Sequence, residues 1–372
     1  MPDASETTAL TGLDLYSQGI QPVWLKVENN GDATARVVNW SIDRDYFSPI
    51  EVAYMNRKRF SNEGYRDMER WFHENALPRP VPPGKTRSGL VFTHLRPGTK
   101  GFNLNILSEG RAYDFTFFVP LPGFVADFMT VDFANLYRPD EIRDLDRDGL
   151  KSVLENELGC CVTDPTGELQ GGPINVVLLG TGRAVRRSML RGGWLETSSE
   201  EGVAVKERSQ TFHGRRPDAI FSQLRGDGNE RINLHLWMAP WRVDSAPVWV
   251  GQVYYVTEEK TLLGALGFEK NRNSELLSFF VRESVTADID SAQRFLFQNF
   301  WYSGSLLEIG YVGGAGYAAV DDPREGFAGV AYFTDGYRLV MALSEKPVAM
   351  DEGRFIFDEP TREVIRQRME RR

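Results

Sequence analysis

Cysteine is almost missing from this chain, and histidine is scarce. The two cysteines, Cys160 and Cys161, are adjacent. Adjacent thiols cannot build a disulfide framework, and they fall short of a four-ligand zinc set. A vicinal bridge needs a strained peptide, so two thiols near a helix end are the expectation. The four histidines, His73, His94, His213 and His235, are dispersed, with no pair on one helix face, which weakens any transition-metal reading. Apolar runs, such as the one from Ile174 to Leu179, fall far short of the roughly 20 residues that span a bilayer. No transmembrane segment is therefore expected within the chain. Positive charge is in deficit: the net charge of −9 argues against nucleic acid as a partner and does not favour anionic lipid. No G-x-S-x-G, H-E-x-x-H or P-loop is present. The opening Met-Pro-Asp-Ala-Ser-Glu has neither a basic n-region nor an apolar h-region. Taken as the true start, Met1 implies a cytoplasmic protein; a trimmed chain would read the same way.

What is present is ample material for packed cores. At 372 residues, with 41% hydrophobic and 12% aromatic content, two or three domains are expected. The fold class expected is multidomain, in three parts. Residues 1–137 read as an N-terminal immunoglobulin-like β-sandwich. Gln21 to Gly31 alternates Val23, Leu25 and Val27 with polar neighbours and ends in an Asn-Asn-Gly turn. Further strands are expected at Ala35–Ile42, Ile50–Tyr54, Ser88–His94, Gly101–Leu107 and Tyr113–Val119, with a short helix around Met68, Trp71 and Phe72. Residues 138–170 form a calcium-loop connector, with Thr163 to Gly172 as linker. Residues 171–372 form a C-terminal α+β (mixed α/β) domain, with a helix after Gly182 and another after Asp288-Ile-Asp290. A last, arginine-rich helix is expected from Asp358 onward.

The most specific motif is Asp144-Leu-Asp146-Arg-Asp148-Gly149-Leu150-Lys-Ser152-Val-Leu-Glu155, which fits D-x-[DN]-x-[DN]-G-x5-E at every specified position. Ca2+ takes six to eight oxygens at roughly 2.3–2.6 Å, and alternate residues of a tight loop can turn carboxylates inward. The expected ligands are Asp144, Asp146, Asp148, the Leu150 carbonyl, Ser152 through water, and Glu155. A helix start capped by acids would use some of the same residues. No second loop is present to pair with it, so affinity should be weak, near 10⁻⁴–10⁻³ M. A site that weak would fill only outside the cytoplasm.

Other candidates carry less. Gly180-Thr-Gly182-Arg-Ala-Val185 sits between a strand and a helix, but Val185 replaces the third glycine of a dinucleotide fingerprint, so a plain turn is expected. His235, Asp335 and Asp218, with an arginine such as Arg338, are the candidates for acid–base chemistry in the C-terminal domain.

From Pro173 onward the chain resembles the LssY-like C-terminal family. The residues that carry this are Pro173-Ile-Asn-Val-Val-Leu-Leu-Gly180, Gly193-Trp194, Arg216-Pro217-Asp218, Leu234-His-Leu-Trp237, Pro247-Val-Trp-Val-Gly251, Asp288-Ile-Asp290 and Tyr332-Phe-Thr-Asp-Gly336. Upstream, Gln21-Pro-Val-Trp24, Tyr46-Phe-Ser-Pro-Ile-Glu51 and Ser88-Gly-Leu-Val-Phe92 look like the β-domain that accompanies it in bacterial envelope proteins. The resemblance implies an extracytoplasmic setting, in the periplasm or cell envelope, with a membrane anchor in a longer native form. Relatives often place a histidine before the Asp-x-Asp pair; Val281 to Ala287 has none, which lowers the enzyme reading. The function expected is a non-catalytic, calcium-binding envelope protein that binds or scaffolds an envelope partner or ligand. The alternative is an extracytoplasmic hydrolase acting on an anionic or phosphorylated substrate.

Overall fold

The computed structural model describes residues 1–38, 42, 46–96, 98–119, 124–198, 210–225, 230–260, 281–285, 287–327 and 331–357. The helix expected from Asp358 onward lies outside them. The chain divides into two compact units, Met1–Leu121 and Pro122–Arg372. The expected boundary at residue 137 is thus displaced, and the 138–170 segment falls within the second unit.

The first unit runs α1 (Ala4–Thr11), β1 (Ile20–Glu28), β2 (Ala35–Val38), α2 (Pro49–Met55), α3 (Asn62–Asn75), β3 (Pro80–Val81), β4 (Thr86–His94), β5 (Lys100–Ser108) and β6 (Arg111–Val119). Strands β1 and β4 make an antiparallel ribbon; the others form a sheet in the order β3-β2-β5-β6. Alternation on β1 serves one side of the ribbon: Val23, Leu25 and Val27 meet Val37, Phe102 and Leu104 of the sheet. On the other side, Leu90 and Phe92 pack with Val52 of α2 and with Met68 and Phe72 of α3. The expected strand at Ile50–Tyr54 is instead helix α2. Ser48 caps it, Glu51 closes the capping box, and Pro49 opens the first turn, where its missing N–H costs nothing. Gly89 lets β4 approach the backbone of Ala76 and Leu77, where a Cβ would lie 2.5 Å from the Leu77 nitrogen.

The second unit runs α4 (Asp127–Thr130), β7 (Arg143–Leu145), α5 (Arg147–Asn156), β8 (Cys161–Thr163), β9 (Gln170–Pro173), β10 (Val176–Leu179), α6 (Gly182–Arg191), β11 (Leu195–Thr197), β12 (Ala219–Arg225), β13 (Glu230–Val243), β14 (Ala246–Lys260), β15 (Val281–Val285), α7 (Ile289–Ser303), β16 (Leu306–Val312), β17 (Arg324–Glu325), β18 (Ala331–Tyr332), β19 (Arg338–Leu343) and β20 (Arg354–Phe355). One mixed sheet dominates, in the order β11-β12-β13-β14-β10-β19-β16-β20, with β15 on β14 and β7 on β13. Most neighbours are antiparallel, but β10 and β19 run parallel. Helices cover both faces. Ala184, Val185 and Met189 of α6 and Ala292, Leu296 and Phe300 of α7 pack on one; Leu150, Val153 and Leu154 of α5 pack on the other. Strand β10, caught between them, is buried at every residue, as a continuous apolar run requires. This is a mixed α/β architecture. Among the described residues no helix is long and apolar enough to cross a membrane.

The segment expected to link domains is not a free connector. Helix α5 contributes to the core, and Thr163 to Gly172 belongs to a β8–β9 hairpin in which Cys161 faces Pro173 and Thr163 faces Gln170.

Candidate functional site

The expected calcium ligands are parcelled among three kinds of structure. Asp144 lies in β7, paired with Arg242 of β13. Asp146 is the N-cap of α5, its Oδ1 accepting from the Gly149 amide at 2.7 Å. Asp148, Leu150, Ser152 and Glu155 are all within the helix. Helix geometry turns the Leu150 carbonyl toward the amide four residues on, so it is not offered to an ion. Arg147, between the acids, is held by Asp244 at 2.7 Å and Glu308 at 2.8 Å. Among the described residues no group of three or more His, Cys, Asp or Glu side chains could hold a metal. These residues therefore do not fit a calcium loop in this conformation; they make an acid-capped helix start, Asp146 at the cap and Asp148 in the first turn. Calorimetry with Ca2+ on chelator-treated protein is expected to give no saturable heat. Asp146→Ala should cost about 1 kcal/mol with or without Ca2+, as a lost cap does. Saturable binding that vanishes in Asp146→Ala would restore the ion site.

Gly180-Thr-Gly182 is a strand-to-helix turn. Thr181 caps α6 through the Ala184 amide, and a Cβ on Gly182 would sit 2.7 Å from the Phe128 ring. An aromatic ring, not a phosphate, occupies the space that this glycine leaves.

His235 is fully buried on β13, on the side of the sheet that carries Trp237. Its Nε2 lies 3.1 Å from the Tyr254 hydroxyl. Burial pushes its pKa down to about 3, so the ring is neutral. Among the described residues, Nδ1 of His235 has no hydrogen-bond partner; nor do Nδ2 of Asn233, two residues back, or Oε1 of Gln252, directly across on β14. Strand β9 lies over this row: a Cβ on Gly172 would overlap the Gln252 amide. At the start of β8, Cys160 and Cys161 are bonded to each other, which corrects the expectation of two thiols. Cys161 Sγ lies 3.8 Å from the Tyr332 hydroxyl, and Tyr332 shares a cluster with Tyr254.

Asp218 and Asp335 do not join His235. Asp218, 3% exposed, accepts from Arg215 at 2.9 Å and from the Met238 amide at 2.7 Å. Burial raises its pKa, against the Arg215 charge. Arg215 also donates to the Met238 carbonyl and the Tyr137 hydroxyl, which anchors residue 137 to β13. Burial drives the Tyr137 pKa up to about 12. Asp335 shapes a turn, its Oδ1 accepting from the Tyr337 amide at 3.0 Å while its own amide donates to Asp290. Burial, then the Asp335 charge, raises the pKa of Asp290. Arg338 is fully buried and donates to the carbonyls of Leu154, Leu158, Gly159, Ile174 and Gly314. It is a clamp for the end of α5.

An open groove of about 660 Å³ lies at the C-terminal ends of the parallel pair, with Leu179 of β10 and Ala342 and Leu343 of β19 in its floor. That edge is where α/β sheets commonly take ligands. The rim carries Asp244, Glu308, Asp351 and Glu352 against Arg147 and Arg354. Sequence reasoning missed it, since its residues come from six separate stretches.

No family model, no curated protein and no solved structure matches this chain.

Proposed function

We propose that this chain is a non-catalytic binding or scaffold protein of an oxidising, extracytoplasmic compartment such as the cell envelope. One observation carries the reading: the four candidates for acid–base chemistry, His235, Asp335, Asp218 and Arg338, are each buried or committed to a structural bond. His235 and Arg338 are inaccessible, Asp218 is taken by Arg215, and Asp335 holds a turn. The Cys160–Cys161 bond supports the compartment, since disulfides persist where thiols are not kept reduced. Kinship with LssY-like C-terminal domains, and an immunoglobulin-like sandwich for the first unit, belong to the same proposal.

Binding is assigned to the groove beside β10 and β19. Its apolar floor and its excess of carboxylates over guanidinium groups favour a ligand with an alkyl part and a positive charge. Decylamine should raise the melting temperature and decanoate should not. Equal response to both, or to neither, would remove the assignment. The hydrolase reading keeps one observation in its favour, the unpartnered polar atoms of Asn233, His235 and Gln252 beneath the β8–β9 hairpin. Nitrophenyl esters and phosphodiesters decide it. No turnover beyond that of His235→Ala is expected; turnover abolished in that variant would overturn the non-catalytic reading.

A further inference from the structure

Helix α2 of the first unit has an outer face unlike that of an ordinary surface helix. It turns Val52 and Ala53 into the core. Ile50 and Tyr54, one turn apart, and Met55 beside Tyr54 point outward and are 60%, 63% and 47% exposed. A 3-10 turn of three consecutive cations, Arg57–Arg59, follows, and then the exposed ring of Phe60. Among the described residues none of the three cations has an acidic partner.

The corner between helix and turn is fixed from beneath. Asn56, 1% exposed, exchanges amide hydrogen bonds with Gln18 at 2.9 and 3.1 Å and donates to the Val52 carbonyl. Arg57 lies over the Tyr65 ring, 5.7 Å from its centroid. The support is packed, and the side chains standing on it are not.

The charge balance of the patch is positive. Over residues 49–60, Arg57, Lys58 and Arg59 stand against one carboxylate, Glu51, which reaches back to the Ser48 amide to close the capping box. On the neighbouring α3, Asp67 is paired with Arg70 at 3.2 Å. The net charge of −9 is spread over the whole chain. A charged surface responds to what lies within a Debye length of it, about 10 Å in ordinary salt.

We propose that α2 and the Arg57–Arg59 turn dock this unit on an anionic phospholipid surface. Ile50, Tyr54, Met55 and Phe60 enter the headgroup region, and the three cations lie level with the phosphates. Apolar side chains on the convex side of a helix offer a protein partner no hollow to fill, whereas a bilayer interface takes them without a matching shape. Tyr54 suits that depth, with an apolar ring and a hydroxyl that stays wet. This surface is separate from the groove assigned above and does not depend on it.

Sedimentation of the full chain with phosphatidylcholine vesicles containing about one-third phosphatidylglycerol should carry it down, and phosphatidylcholine alone should not. Lys58→Glu with Arg59→Glu leaves Arg57 on Tyr65 and should lower the partition more than about twentyfold, since each cation near such a surface is worth about fivefold. Ile50→Ser with Tyr54→Ser should lower it about tenfold or more. All four positions are exposed, so melting temperatures should stay near that of the parent. Arg79→Glu with Arg111→Glu makes the same change of net charge at exposed positions elsewhere on the unit, and should leave binding near the parental level. Binding to neither vesicle, equal binding to both, binding that survives either pair of substitutions in the patch, or an equal loss in the Arg79 and Arg111 control overturns the proposal.

Discussion

Arg338→Ala lowers the stability of the second unit by roughly 4 kcal/mol, a loss expected only where a buried network is broken. For a unit of this size that is a fall of about 10 °C in melting temperature. The reason is geometric. The last carbonyls of a helix have no amide within it, and here Leu154, in the last turn of α5, and Leu158, two residues past its end, turn theirs into the protein instead of into water. Arg338 satisfies them, together with Gly159, Ile174 and Gly314, through one planar group. Burial draws its pKa down to about 10, which still leaves it charged at neutral pH. A cation at the C-terminal end of α5 is also on the favourable side of the helix dipole. Arg338→Met separates volume from hydrogen bonding: it should be nearly as damaging, and Arg338→Lys only partly restored, because an ammonium cannot span the fork. A methionine variant that melts like the parent would mean that the carbonyls need no clamp.

Acidification should cost the second unit roughly 3 kcal/mol between pH 7 and pH 4 through His235 alone. Its ordinary pKa of 6.5 governs the unfolded chain, and burial holds the folded value at about 3. The unfolded state therefore takes up the proton first. Stability is intact above pH 6.5, falls as pH drops toward 3, and levels off below. Asp218 and Asp290, whose pKa values are raised, act in the opposite sense as pH falls. The difference between the parent and His235→Gln cancels those contributions. Denaturant midpoints should show a flatter acid limb in the variant; identical slopes would mean that the imidazole protonates equally easily in both states.

Periodicity made the core strands legible. The alternation of β1 and the continuous apolar run of β10 are visible one residue after another, since burial on one face or both is written at short range. Local chemistry with two outcomes was not. Asp144, Asp146 and Asp148 before Gly149 can wrap an ion or start a helix, and what decides is remote: β7 pairs with β13, and Arg147 is drawn to Asp244 and Glu308. The capping box at Ser48 and Glu51 was readable, but the β-branched and aromatic residues between Ile50 and Tyr54 suggested a strand. For the candidate site, residue types were visible and partners were not. Nothing local to Arg338 points to carbonyls some 180 positions earlier.

The parallel pairing of β10 with β19 has a consequence for the order in which the molecule can be made. Val176 must wait for Leu339, about 160 residues later, before its open edge is filled. At translation rates of roughly 5–20 residues per second, the nascent chain carries an uncovered apolar strand for about ten to thirty seconds. During that interval β14 is the one native partner available to it among the described strands, and any other sticky segment competes. The second unit is thus a late-closing structure, dependent on a strand made about 160 residues after β10 and exposed to misassembly if synthesis stalls short of it.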